Sequence, residues 1–138
     1  MYKKILVAYD GSAPAKKAFD SALELAAKDG ADLHVLSVVR TLDVADDVET
    51  EAVIENSMDY HRELMEPLVQ QVRDRRVSAQ FDVVVGHPAE QIIYKSDEIK
   101  ADLIVVGDRG RSKFARLLLG SVSKQVVQYA DRPVLVVR

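Results

Sequence analysis

The sequence predicts an α/β protein, a doubly wound, five-stranded parallel sheet with helices on both faces. Three observations carry that reading. Short runs that are apolar on both faces, such as Leu103–Val106 and Val134–Val137, suit strands covered by helices on each side. Stretches with helical spacing alternate with them, strand-helix four times and then a final strand. The 138 residues hold no internal repeat, low-complexity tract or linker, so residues 1–138 read as a single domain.

Each element has its own signal. Lys4–Tyr9 is the first strand. Ser12 can cap the helix after it, which carries Ala15, Ala18, Ala22 and Leu25 on one stripe and ends at Gly30. Asp32–Val39 is the second strand. From Leu42 to Arg76 the pattern is least regular. Met65, Leu68, Val69 and Val72 keep helical spacing, but Pro67 interrupts it and is expected to kink the helix or force a new start. This segment therefore reads as a ragged first part followed by a firm helix. Val77–Val85 is the third strand, and Pro88 opens a helix with Ile92, Ile93 and Ile99. Asp102–Val106 is the fourth strand. Ser121 can cap a last helix with Val122, Val126 and Tyr129 facing inward, and Asp131-Arg132-Pro133 stops it before the strand Pro133–Val137.

Composition excludes several functions. The absence of cysteine removes disulfides, thiolate metal sites and cysteine nucleophiles. A net charge of −3, from 19 basic and 22 acidic residues, argues against a general nucleic-acid binder. The apolar runs are far below the ~20 residues a bilayer crossing needs, and the start has no secretory pattern, so no membrane association and a cytoplasmic location are expected. His34, His61 and His87 are scattered over strand, helix and loop and suggest no metal cluster. Tyr60 and Tyr94 read as helix-packing residues.

In a doubly wound sheet, ligands bind beyond the carboxyl ends of the strands. That directs attention to Tyr9–Ser12, Val38–Leu42, Gly86–Pro88 and, above all, Gly107–Gly120. Gly107 ends a buried strand, Gly110 follows, and Gly120-Ser121 opens a helix. Glycines there let a ligand approach the backbone, and the helix start offers unpaired N–H groups at its positive end. Ser121 and Ser123 add hydroxyls, while Arg109, Arg111, Lys113 and Arg116 crowd the loop against the single acid Asp108. Singly, each glycine is an ordinary turn residue and Ser121 an ordinary cap; jointly they form a phosphate site. The loop is neither a Walker A motif nor a G-x-G-x-x-G fingerprint. Asp10 admits a plain reading as an Asx-turn into the first helix. A receiver domain would need an acid at the end of the third strand, where Val85-Gly86 supplies none.

The pattern G-x2-G-x9-G-[ST] resembles the ATP-binding signature of the universal stress protein family. The likeness extends through Lys3-Lys4-Ile5-Leu6-Val7, Asp10-Gly11-Ser12, Gly86-x-Pro88 and Pro133-Val134-Leu135-Val136-Val137. It implies a strand order of 3-2-1-4-5 and a cytoplasmic, often homodimeric protein of stress survival that binds ATP, or AMP or ADP, with Mg²⁺ on the phosphates. By position it implies that Gly107, Gly110, Gly120 and Ser121 line the triphosphate and ribose, continued by Val122 and Ser123, while Arg109 and Arg111 are expected at the phosphates from the charge of the loop itself. Val38, with Ala8 and Val106 nearby, would meet adenine. Asp10 would lie near the ribose or the Mg²⁺. Asp108 departs from the family pattern, and its carboxylate would repel phosphates unless Arg109 pairs with it, a metal bridges it or it faces solvent.

The last strand, Val134, Leu135, Val136 and Val137, lies at a sheet edge in that strand order. An uncovered apolar edge invites pairing, and a two-fold copy would close it into a homodimer. The expected function is an ATP-binding regulatory protein rather than an enzyme, since arginines are present but no convincing base for hydrolysis is. The alternatives are a dimerisation or scaffold module of the same fold that binds no nucleotide, and a slow ATP-hydrolysing enzyme.

Overall fold

The computed structural model describes residues 1–40, 48–109 and 119–138, with only the backbone of 48–50. Five parallel strands, β1 (Lys4–Ala8), β2 (Asp32–Arg40), β3 (Ala79–Gly86), β4 (Leu103–Gly107) and β5 (Val134–Val137), form one sheet in the order β3-β2-β1-β4-β5. Helices α1 (Ala13–Asp29), α2 (Val48–Asp74), α3 (Pro88–Ile99) and α4 (Ser121–Tyr129) connect them. The predicted class and strand order are those observed.

The strands' two-sided apolarity follows from two cores, one on each face. Ile5, Val7, Leu33, Val35, Leu103 and Val105 pack against α1 and against Met65, Leu68 and Val72 of α2. The alternate residues Leu6, Leu36, Ile104 and Val106 pack against Ala89 and Ile92 of α3 and Val126 of α4. The period of two along each strand thus assigns α1 and α2 to one face and α3 and α4 to the other.

The ends of α1 match the reading. Ser12 accepts a hydrogen bond from the Ala15 amide at 3.2 Å, and Gly30 closes the helix at φ 68°. Four expectations need correction. Of the two outcomes expected at Pro67, a new start is not seen, for helix α2 runs 27 residues through it. Pro67 is exposed, and the Met65, Leu68 and Val72 contacts with the sheet hold the turns around its missing N–H. The cap of α4 is Gly120 in extended conformation, φ −61° and ψ 161°, which makes Ser121 the first helical residue. Tyr129 points outward at 68% exposure, because Val126 alone of that stripe is fully enclosed. Tyr60 and Tyr94 are likewise exposed rather than packed.

Candidate functional site

At the carboxyl edge of the sheet lies a cavity of about 620 Å³. Its floor is the ends of three strands: Ala8, Tyr9 and Asp10 after β1, Val38 to Arg40 of β2, and Val106 and Gly107 of β4. One wall is the start of α4, Gly120 to Ser123, with Arg109; Pro88 and Ile92 of α3 continue it. The opposite wall is the first half of α2, through Val53, Ile54, Ser57 and His61. The position is where the winding reverses, with β2 on one side of β1 and β4 on the other.

Ten of the sequence-derived site residues meet here: Ala8, Asp10, Val38, Val106, Gly107, Arg109, Gly120, Ser121, Val122 and Ser123. Gly110 and Arg111 lie outside the described residues. The α2 wall was not foreseen. Its signal in the sequence is the spacing of Val53, Ser57 and His61 at i, i+4 and i+8, a single helix stripe, obscured by the acids between them.

The α4 end is built by close packing. A Cβ on Gly107 would stand 2.8 Å from the carbonyl carbon of Pro14, and one on Gly120 would stand 2.9 Å from Cα of Arg109. Only glycine lets β4 end against the first turn of α1 and lets α4 begin against the Asp108-Arg109 turn. The Gly120 amide donates to the Asp108 carbonyl at 2.7 Å. Since Gly120 has no side chain, nothing on the cap residue covers the first amides of α4, which have no partner within their own helix. The Ser123 hydroxyl, expected to face a ligand, donates instead to the Gly107 carbonyl and ties α4 to β4. Ser121 remains exposed.

Asp108 is 7% exposed, does not line the cavity, and has its carboxylate 3.6 Å from Nη1 of Arg109. Of the three arrangements that would relieve repulsion, pairing with Arg109 is the one present. Asp10 accepts from the Ser12 amide at 2.9 Å, an Asx-turn, while also lining the cavity. Burial, and then the neighbouring Asp10 and Asp20, push the Tyr9 phenol above its ordinary range, so it stays neutral. Among the described lining residues the cations are Arg40 and Arg109, and the carboxylate is Asp10. No group of three His, Asp or Glu among the described residues could hold a metal ion. No helix there is long and apolar enough to cross a membrane.

A doubly wound sheet with a crevice at its switch point, walled by the start of a helix and floored by apolar strand ends, defines an α/β protein with the fold's usual ligand crevice. The chain belongs to the universal stress protein family, whose model matches residues 1–138. It is 36% identical to universal stress protein YxiE of Bacillus subtilis, with all of both chains covered. The solved structure of hypothetical protein MJ0577 superposes with a TM-score of 0.90 at 28% identity, covering 99% of this chain and 96% of that one. A universal stress protein solved in complex with cAMP superposes with a TM-score of 0.75 at 25% identity, over 99% and 97% of the two chains.

Proposed function

We propose that this chain is an adenine-nucleotide-binding regulatory protein, acting as one domain over residues 1–138 in the cytoplasm and as a homodimer through β5. The observation that carries the reading is the start of α4, where the cap residue Gly120 places no side chain over the first amides and which, with Gly107 and Arg109, lines the cavity of about 620 Å³. That volume lies within the range of small-molecule sites. The relative with cAMP bound supports an adenine nucleotide as the ligand class.

In this reading the amides of Ser121, Val122 and Ser123 hold phosphate oxygens, with Gly107 and Gly120 keeping the approach open and Arg109 adding charge. Gly110 and Arg111 belong to the same phosphate loop through the motif. Val38, Ala8 and Val106 supply the apolar seat for adenine, and Asp10 takes the ribose or the Mg²⁺. A single carboxylate fits an ion carried mainly by phosphates and water, the usual situation of Mg²⁺ beside a nucleotide. Asp10 already accepts the Ser12 amide, which fits a structural and ligand-positioning role better than that of a catalytic base and supports binding over catalysis.

Calorimetric titration with ATP, AMP and cAMP tests this, with Ser121→Glu as the control. A carboxylate at the first position of α4 suits the helix dipole yet occupies the place of a phosphate, so nucleotide affinity should fall at least about tenfold with the fold intact. Unchanged affinity in Ser121→Glu would remove the site. A wild type that binds none of the three nucleotides would leave the scaffold module, and rapid turnover of ATP would make the protein an enzyme.

A further inference from the structure

We propose that His61, oriented by Ser37, is the side chain through which the cavity discriminates a nucleoside from a bare polyphosphate; the proposal rests on the nucleotide reading above. Ser37 lies within β2 at 1% exposure, with its hydroxyl 2.5 Å from Nδ1 of His61 on α2. A buried hydroxyl is costly unless hydrogen-bonded, so this contact is one the fold maintains, and it fixes the orientation of a ring that itself lines the cavity. The Tyr60 ring stands nearly edge-on to it, with centroids 6.0 Å apart.

Position gives the ring its role. β2 and β4 are separated by β1 and lie about two strand spacings, roughly 10 Å, apart, and α2 and α4 cover opposite faces of the sheet, so the α2 wall stands at least that far across the cavity from the α4 amides. A ligand whose phosphates dock at α4 and which extends along the floor brings its nucleoside to Val38, Val39, Ile54 and His61. Ser57 and Arg40 also line this side of the cavity; the imidazole differs in being oriented by a buried partner, and a hydrogen bond it makes beside Val38, Val39 and Ile54 is strengthened where water is excluded. A site for phosphate alone would need no imidazole at that end. The Ser37 hydroxyl does not line the cavity, so Ser37 is a positioning residue and His61 the one that meets the ligand.

The experiment compares ATP with inorganic tripolyphosphate by calorimetry for wild type, His61→Ala, Ser37→Ala and the Ser37→Ala/His61→Ala double variant. Alanine suits a helix, and the double variant leaves no buried hydroxyl unpaired, so the comparison stays valid if the single His61 variant folds poorly. ATP binding should weaken about tenfold in His61→Ala and in the double variant, with Ser37→Ala in between, while tripolyphosphate affinity stays within about twofold. Equal losses for both ligands would mark His61 as merely structural and overturn the proposal. Undiminished ATP affinity in His61→Ala would overturn it while leaving the nucleotide reading standing. Failure of the wild type to bind ATP would overturn both.

Discussion

His34 sits on β2 with a buried Nδ1 that has no hydrogen-bond partner among the described residues. Burial lowers its pKa against the opposing pull of Asp82 and Asp32, so the folded protein holds the ring neutral where the unfolded chain begins to protonate it. Stability contributed by the neutral ring is present above the ordinary histidine value of about 6.5 and is lost as pH falls below it toward the depressed folded value. Urea titrations across that window should give a declining stability for the wild type and a flatter profile for His34→Leu; identical profiles would refute this. At lower pH two carboxylates take over. Asp102 accepts the Lys3 and Lys4 amides at 2.8 and 2.9 Å, and Asp29 accepts the Tyr2 amide at 2.9 Å. These hydrogen bonds hold both acids below the usual carboxylate range. Their contribution is present above about pH 4 and disappears as pH drops through the depressed values.

At the scale of elements, α2 combines two tasks. Its second half buries Met65, Leu68 and Val72 under the sheet, and its first half extends past the strand ends to wall the cavity. At ~1.5 Å per residue the 27-residue helix is ~40 Å long, more than the 9-residue β2 can span at ~3.3 Å each. Pro67 stands in this helix without the N–H that would reach back one turn. Pro67→Ala should therefore stabilise the protein by about 1–3 kcal/mol, read as a higher urea midpoint with an unchanged slope. No gain would mean that the helix bends there in a way other contacts exploit. The shift of the α4 cap from Ser121 to Gly120 shows the limit of local signals. Glycine and serine are both good caps, and the choice falls to the 2.9 Å approach of Arg109, which a side chain on residue 120 would block.

For the whole molecule, the open edge of β5 carries the proposed dimer. The carbonyls of Pro133 and Val137 accept from Ile104 and Asp108 of the β4 side, so by alternation Val134 and Val136 turn their backbone groups outward. Leu135 is 37% exposed, whereas Val134 and Val136 pack toward the α3–α4 core. Val136→Pro removes an outward donor without touching the β4 ladder. Sedimentation should find a dimer for the wild type and a monomer for Val136→Pro with similar thermal stability. A monomeric wild type at tens of micromolar, or an undisturbed dimer in the variant, would remove the edge as an interface.

Hydrophobic runs, the Ser12 cap, the Gly30 stop and the glycine spacing after β4 are enough to determine the five strands, the extent of α1 and the place of the α4 side of the crevice, while the strand order follows from the family resemblance. Those features are local, each set by backbone conformation or by a period of two or 3.6 residues. On the other side the stripe of Val53, Ser57 and His61 marks a helix face, but only tertiary structure decides that this face walls the cavity. Ser37 and His61 are 24 positions apart, and nothing in either neighbourhood announces a partner. They meet because β2 and α2 pack on the same face, and because the continuous α2 extends beyond the strands it covers. Likewise the sequence leaves open whether Asp108 opposes phosphate, and only the fold buries it outside the cavity lining with its carboxylate 3.6 Å from Arg109.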